Sequence, residues 1–231
     1  MKPIRKAVFP VAGLGTHFLP ATKAIPKEML PVVDRPLIQH VVDEARGAGI
    51  EHFIIVTGRN KNIIEDHFDR QTELENTLRI RRKSALIEFL SRELPLPGAT
   101  SFTRQQQPLG VGHAVWCARE LVGSEPFALL LPDVLIRNNP GCLTQMIKAA
   151  ETLEHAANIL AVEEVGRDRV SIHRSVAIGE RQKELFSVID LVEKPTPDKT
   201  CNLSITGRYI LQPAIFDLLG GQNRARAARS S

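Results

Sequence analysis

Cysteine is scarce in this chain. Cys117, Cys142 and Cys201 stand far apart, with no CxxC pair and no histidine at zinc-ligand spacing. That pattern excludes a disulfide framework and a zinc finger and predicts reduced structural thiols. A long apolar run is also missing: the opening MKPIRKAVFPVAG is basic, but its apolar stretch is cut short by Pro10 and Gly13. Neither a signal peptide nor a membrane span is expected, and the cytoplasm is the default location. Excess charge is small. The net charge is +4, and three of those charges are Arg224, Arg226 and Arg229 in the acid-free end GGQNRARAARSS. The body is therefore close to neutral, and without an RNP-like motif no nucleic-acid partner is expected. Residues 220–231 read as a basic, low-complexity, solvated tail.

What remains is a chain of 231 residues, 43% hydrophobic and 24% charged, enough to bury a sizeable core. No internal repeat divides it, and residues 1–219 read as one α/β domain. Short apolar runs bounded by turn residues alternate with helical patterns, the rhythm of βαβ units. Strands are predicted at Ile4 to Val11, Phe53 to Thr57, Thr100 to Arg104 and Phe127 to Leu131. Helices are predicted at Leu37 to Ala48, ending at Gly49, at Asn60 to Phe68 with Asn60 as cap, and at Gly112 to Leu121 around Trp116, read as a core residue. The charged stretch Thr72 to Glu93 reads as one helical excursion, broken by Pro95, Pro97 and Gly98. After a helix over Gly141 to His155 come strands at Ile159 to Val165, Val176 to Ile178, Phe186 to Val192 and Leu203 to Leu211, then a short helix at Pro213 to Leu219.

Between Pro10 and Leu30 (PVAGLGTHFLPATKAIPKEML) a glycine turn follows a strand directly, with two lysines shortly beyond. Gly13 and Gly15 let backbone N–H groups approach an anion, and Lys23 or Lys27 offers charge to a nucleotide triphosphate. Read alone, a glycine pair after a strand is equally well an ordinary turn. Asp133 follows the most apolar strand, FALLL, at the carboxyl edge where open α/β sheets place their ligands. In isolation it reads as well as a cap or turn acid.

The runs KEMLPVVDRP, FIIVTGRNK, EDHFDRQ, GATSFTRQQ, GHAVWCAREL and FALLLPD together resemble the bacterial UTP:glucose-1-phosphate uridylyltransferases, within the sugar-nucleotidyltransferase superfamily. The resemblance implies a Rossmann-like mixed, mainly parallel sheet flanked by helices. It also implies Mg²⁺-dependent synthesis of UDP-glucose and pyrophosphate from UTP and glucose 1-phosphate. On this resemblance Ala12, Gly13 and Gly15 contact the nucleotide, Glu28 lines its pocket, and Gln105 with Gly110 reads the uracil, whose edge suits a carboxamide's donor and acceptor. Asp133 matches the Mg²⁺ ligand, Lys194 the lysine that contacts the phosphates and Glu193 the acid that holds glucose hydroxyls; Lys27 is a further candidate for phosphate neutralisation, though read alone it is equally an exposed lysine before a strand. A homo-oligomer is plausible on the same ground.

Three departures from the pattern bear on turnover. His17 stands where the family's GTRF motif carries arginine, so a permanent planar cation is replaced by a single donor. Aligning back from Glu193 puts His173 and Arg174 at the family's Tyr-Gly pair beside the glucose. The third departure is the end of the chain: the family continues past the point where this sequence turns to NRARAARSS, and a second metal-binding aspartate has no counterpart here. Two other readings stay open: a catalytically weak paralogue that binds UTP or UDP-glucose, and a nucleotidyltransferase for another sugar phosphate or base.

Overall fold

The computed structural model describes residues 2–166, 175–182, 184–192 and 203–229. A first strand, β1 (Lys6–Pro10), leads into a loop of three 3-10 turns at Thr16–Phe18, Ala21–Lys23 and Lys27–Met29. A two-strand clip, β2 (Pro31–Val32) and β3 (Arg35–Pro36), precedes α1 (Leu37–Gly47) and β4 (His52–Thr57). There follow α2 (Asn62–His67), α3 (Thr72–Ile80), α4 (Ser84–Glu93), β5 (Thr100–Arg104), α5 (Val111–Cys117), α6 (Arg119–Val122) and β6 (Phe127–Leu130). The last elements are α7 (Cys142–Glu151), β7 (Ile159–Glu164), β8 (Ser175–Gln182), β9 (Leu185–Val192), β10 (Leu203–Leu211) and α8 (Ile215–Arg229).

The main sheet runs β5-β4-β1-β6-β10-β8-β9, with β7 on β10. Strands β5, β4, β1 and β6 are parallel, and β10 joins β6 antiparallel. This is the mixed sheet that the resemblance implies. Both faces of its parallel half are filled, as continuous apolar strands require. Ala7, Phe9, Phe53, Ile55, Ala128 and Leu130 point into one layer with Ile38, Val41 and Val42 of α1 and Leu143 and Met146 of α7. Val8, Ile54, Val56, Phe127 and Leu129 point into the other, against Ala114 and Val115 of α5, Val122 of α6 and Ile215, Phe216 and Leu219 of α8.

Several local expectations need correcting. Asn60 does not cap α2: it adopts φ +62°, which an asparagine tolerates, and so turns the chain to bring Lys61 inward at the cap position. The stretch 72–93 is two helices, because Arg82 at φ +55° breaks the run. The helix around Trp116 likewise divides at Ala118. Trp116 is half-buried, with the Arg119 guanidinium 3.9 Å over its ring, and is not a fully enclosed core residue. Where sequence predicts a solvated tail from Gly220, the backbone of α8 stays helical to Arg229. Alanine, arginine and glutamine are good helix formers, and no proline interrupts them.

Candidate active site

Because β1, β4, β5 and β6 are parallel, their carboxyl ends lie along one edge of the sheet. From β1 the chain adds β4 and then β5 on one side, and returns to place β6 on the other. The connections leaving β1 and β6 therefore diverge, and a crevice opens between them, the usual ligand position in such sheets. The loop 11–15 and the turn 131–134 form its two walls.

The first wall is held close to the sheet. Val11 N donates to Val56 O at 2.9 Å, and a methyl group on Gly58 would meet Ala12 Cα at 3.2 Å, so Gly58 admits the loop as a side chain would not. Gly15 adopts φ +69°, and its carbonyl accepts from Thr22 Oγ1 at 2.7 Å and from Phe18 N at 3.0 Å. Beside Gly13 there is open space: a Cβ there would meet nothing within 4 Å. Gly13→Ala should therefore leave Tm almost unchanged while weakening any anion that rests on this backbone. Gly15→Ala should cost about 1–2 kcal/mol of stability from its left-handed φ and should also crowd Thr22, a contrast that thermal unfolding alongside ligand titration will show.

Lysine and aspartate meet across the crevice. Lys27 lies beside the loop, within 3.5 Å of where a Gly15 Cβ would stand, and its Nζ is 2.5 Å from Asp133 Oδ2. Both side chains are partly exposed. Glycine loop, ammonium and carboxylate thus converge in one place. Lys23 does not join them: it is exposed in its own turn, and His17 is exposed on the turn Thr16–Phe18.

Further along the edge Gln105 is buried after β5, its N bonded to Thr57 O at 2.8 Å. Its Nε2 faces Gly110 O at 3.0 Å and His113 Nδ1 at 2.9 Å. A carbonyl oxygen only accepts, so Gly110 fixes which end of the carboxamide is the nitrogen, and the amide oxygen is turned the other way. Gly110 holds φ +95° at the start of α5, a conformation suited to glycine.

Glu28 behaves differently from the expectation that it lines a pocket. It is fully buried beneath the loop, with Oε2 2.9 Å from Lys61 Nζ and Oε1 without a hydrogen-bond partner among the described residues. Burial raises its pKa above 4.5, and the nearby Lys61 charge opposes that rise. Lys61 was not singled out in the sequence; the left-handed Asn60 that aims it inward has no reliable sequence signal. Lys194, Glu193, His173 and Arg174 lie outside the described residues, as does Cys201. Burial pushes the thiols of Cys117 and Cys142 up, so both are poor nucleophiles.

The Nucleotidyl transferase family model matches residues 6–230. The chain is 45% identical over 212 residues to the UTP–glucose-1-phosphate uridylyltransferase of Komagataeibacter xylinus, an alignment that covers 91% of this chain and 74% of that protein. The chain belongs to the nucleotidyl transferase family, among the UTP–glucose-1-phosphate uridylyltransferases. Solved structures agree with this nucleotidyl transferase assignment. A UTP-bound UDP-glucose pyrophosphorylase (UGPase) of Acinetobacter baumannii superposes with a TM-score of 0.86 at 44% identity, over 93% of this chain and 76% of that one. A UDP-glucose pyrophosphorylase complexed with UDP-glucose superposes with a TM-score of 0.78 at 42% identity, over 94% of this chain and 79% of that one.

Nucleotidyl transferases of this kind generally use a divalent metal. Among the described residues no three His, Cys, Asp or Glu side chains gather into a metal cage. A single carboxylate nevertheless fits Mg²⁺, which is commonly held by one or two carboxylates together with substrate phosphates, and Asp133 presents its carboxylate at the crevice. No helix among the described residues is long and apolar enough to cross a membrane.

Proposed function

We propose that this chain joins UTP and glucose 1-phosphate to give UDP-glucose and pyrophosphate, with Mg²⁺ held by Asp133. The observation that carries this reading is the meeting of Lys27 and Asp133 at 2.5 Å beside the Gly13–Gly15 loop, at the point where the sheet's connections diverge. An oxygen of the sugar phosphate attacks the α-phosphorus of UTP. A new P–O bond forms, the bond from that phosphorus to the oxygen bridging the α- and β-phosphates breaks, and pyrophosphate leaves with the electron pair. No protein nucleophile is needed, in keeping with the two described cysteines being buried enough to have raised pKa values. The work is positioning and charge neutralisation.

In this reading the N–H groups around Ala12, Gly13 and Gly15 cradle the phosphates, and Lys27 turns its ammonium from Asp133 to the phosphate oxygens. Asp133 would hold Mg²⁺, which would supply further positive charge for the phosphate oxygens. Gln105 presents its amide oxygen to the imide N–H of uracil, its nitrogen being engaged by Gly110 and His113. Lys194 is assigned to the phosphates and Glu193 to the glucose hydroxyls. The free thiols Cys117 and Cys142 suit a reducing compartment such as the cytoplasm.

The test is formation of labelled UDP-glucose from UTP, glucose 1-phosphate and Mg²⁺, with dTTP and other sugar phosphates as competitors. UTP and glucose 1-phosphate should give the highest kcat/KM; a faster product from dTTP would overturn the base assignment. UTP binding without turnover would favour the weak paralogue. In the same assay His17→Arg should raise kcat by up to about 10²-fold, by analogy with restoring one preorganised donor. No gain would show that His17 does not limit the rate.

A further inference from the structure

A second charged pair lies behind the turn that carries Asp133. Arg208, on β10 beside the left-handed Gly207, is completely buried. Its Nε and Nη2 donate to Glu44 Oε2 of α1 at 3.1 and 2.8 Å. The rest of the fork reaches the turn: Nη1 donates to Leu131 O at 3.1 Å and Nη2 to Val134 O at 2.9 Å. Those two carbonyls bracket Pro132 and Asp133. The turn is tied again where Leu131 N donates to Gly207 O at 2.9 Å. Glu44 is occupied on its other side as well, with Oε1 accepting from Leu143 N at the start of α7 at 3.1 Å.

A buried ion pair is a poor route to stability, since desolvating both charges offsets most of their attraction and an apolar pair would serve a core as well. What an apolar pair cannot do is hold two carbonyls at fixed positions. The rigid guanidinium fork does this while Glu44 balances its charge; the single ammonium of lysine lacks the planar reach.

We propose that Arg208, neutralised by Glu44, is the positioning residue for Asp133. It fixes the backbone on both sides of the aspartate, so that the carboxylate meets Mg²⁺ and the Lys27 ammonium in one place. This inference rests on the metal role of Asp133 proposed above.

The experiment titrates Mn²⁺ in the presence of UTP and reads bound metal from its electron paramagnetic resonance signal, with thermal unfolding measured on the same samples. Arg208→Lys and Glu44→Asp, which draws the carboxylate back while keeping its charge, should each weaken Mn²⁺–UTP binding by about 10–100-fold, as removal of a ligand's supporting partner does. Phe53→Ala, a core change at the opposite end of β4, controls for lost stability and should leave metal affinity unaltered. Unchanged affinity in Arg208→Lys, with a clear loss in Asp133→Asn, would overturn the positioning role and leave the metal site standing. If Asp133→Asn itself binds Mn²⁺ normally, the metal reading falls and this inference with it. Should neither positioning variant fold, hydrogen exchange on the unaltered protein decides: Mg²⁺ with UTP should slow exchange at Val134 and Arg208 together, and slowing at only one of them would overturn the proposal.

Discussion

Asp133→Asn is expected to lower kcat by roughly 10³-fold, about 4 kcal/mol at 1.36 kcal/mol per decade, while leaving the protein folded. The asparagine keeps an oxygen for the Lys27 ammonium and keeps the shape of the turn, so the fold loses little. Its partner is 20% exposed and the aspartate 29%, a setting in which a charge pair contributes modestly to stability. The reaction loses far more. A neutral amide is a weak Mg²⁺ ligand, so the half-saturating Mg²⁺ concentration should rise along with the fall in kcat. Steady-state rates across a Mg²⁺ series, set beside thermal unfolding, check both parts. A variant with normal rates and normal Mg²⁺ dependence would remove Asp133 from the chemistry.

The largest loss of stability should come from Lys61→Met. The lysine and Glu28 are buried together beneath the loop at 2.9 Å, and removing one member of such a pair leaves the other charge uncompensated, a cost of about 3–5 kcal/mol. The pH dependence has a definite sign. The folded-state pKa of Glu28 is raised above 4.5 by burial, so the folded protein binds its proton more readily than the unfolded chain does. Stability from this group is complete below about 4.5 and is lost as pH rises through the folded value. Without Lys61 the folded pKa climbs further. The variant should therefore lie close to the parent in acid and fall increasingly behind it toward neutral pH, a divergence measurable by denaturant unfolding at several pH values. A constant difference across that range would mean that the glutamate charge is not what the lysine offsets.

Much of the architecture was legible in the sequence because its signals are local. The apolar runs of β1, β4 and β6 and the glycine after α1 each act through near neighbours, and the structure uses them where expected. Several of the misreadings share a physical cause: the deciding interaction lies far off in sequence. Asn60 looks like a cap, yet its φ of +62° serves a lysine that pairs 33 positions away. Glu28 sits in a run of pocket-like residues, but the same pairing draws it under the loop. Arg208 carried no signal at all, since its partner Glu44 is 164 residues distant. Basic composition at the end of the chain suggested a solvated tail, whereas propensity without proline favours the helix that is found.

The filling of both sheet faces has an implication for the cradle above it. Phe9 and Val8 are adjacent, fully enclosed and committed to opposite layers, so sliding β1 by one residue would exchange them and invert every side chain on the strand. A slip of one residue, about 3.3 Å, is thus barred, and the height of Gly13 over the crevice is held at one setting. Side chains that never approach a nucleotide act as the ratchet that sets where one can rest.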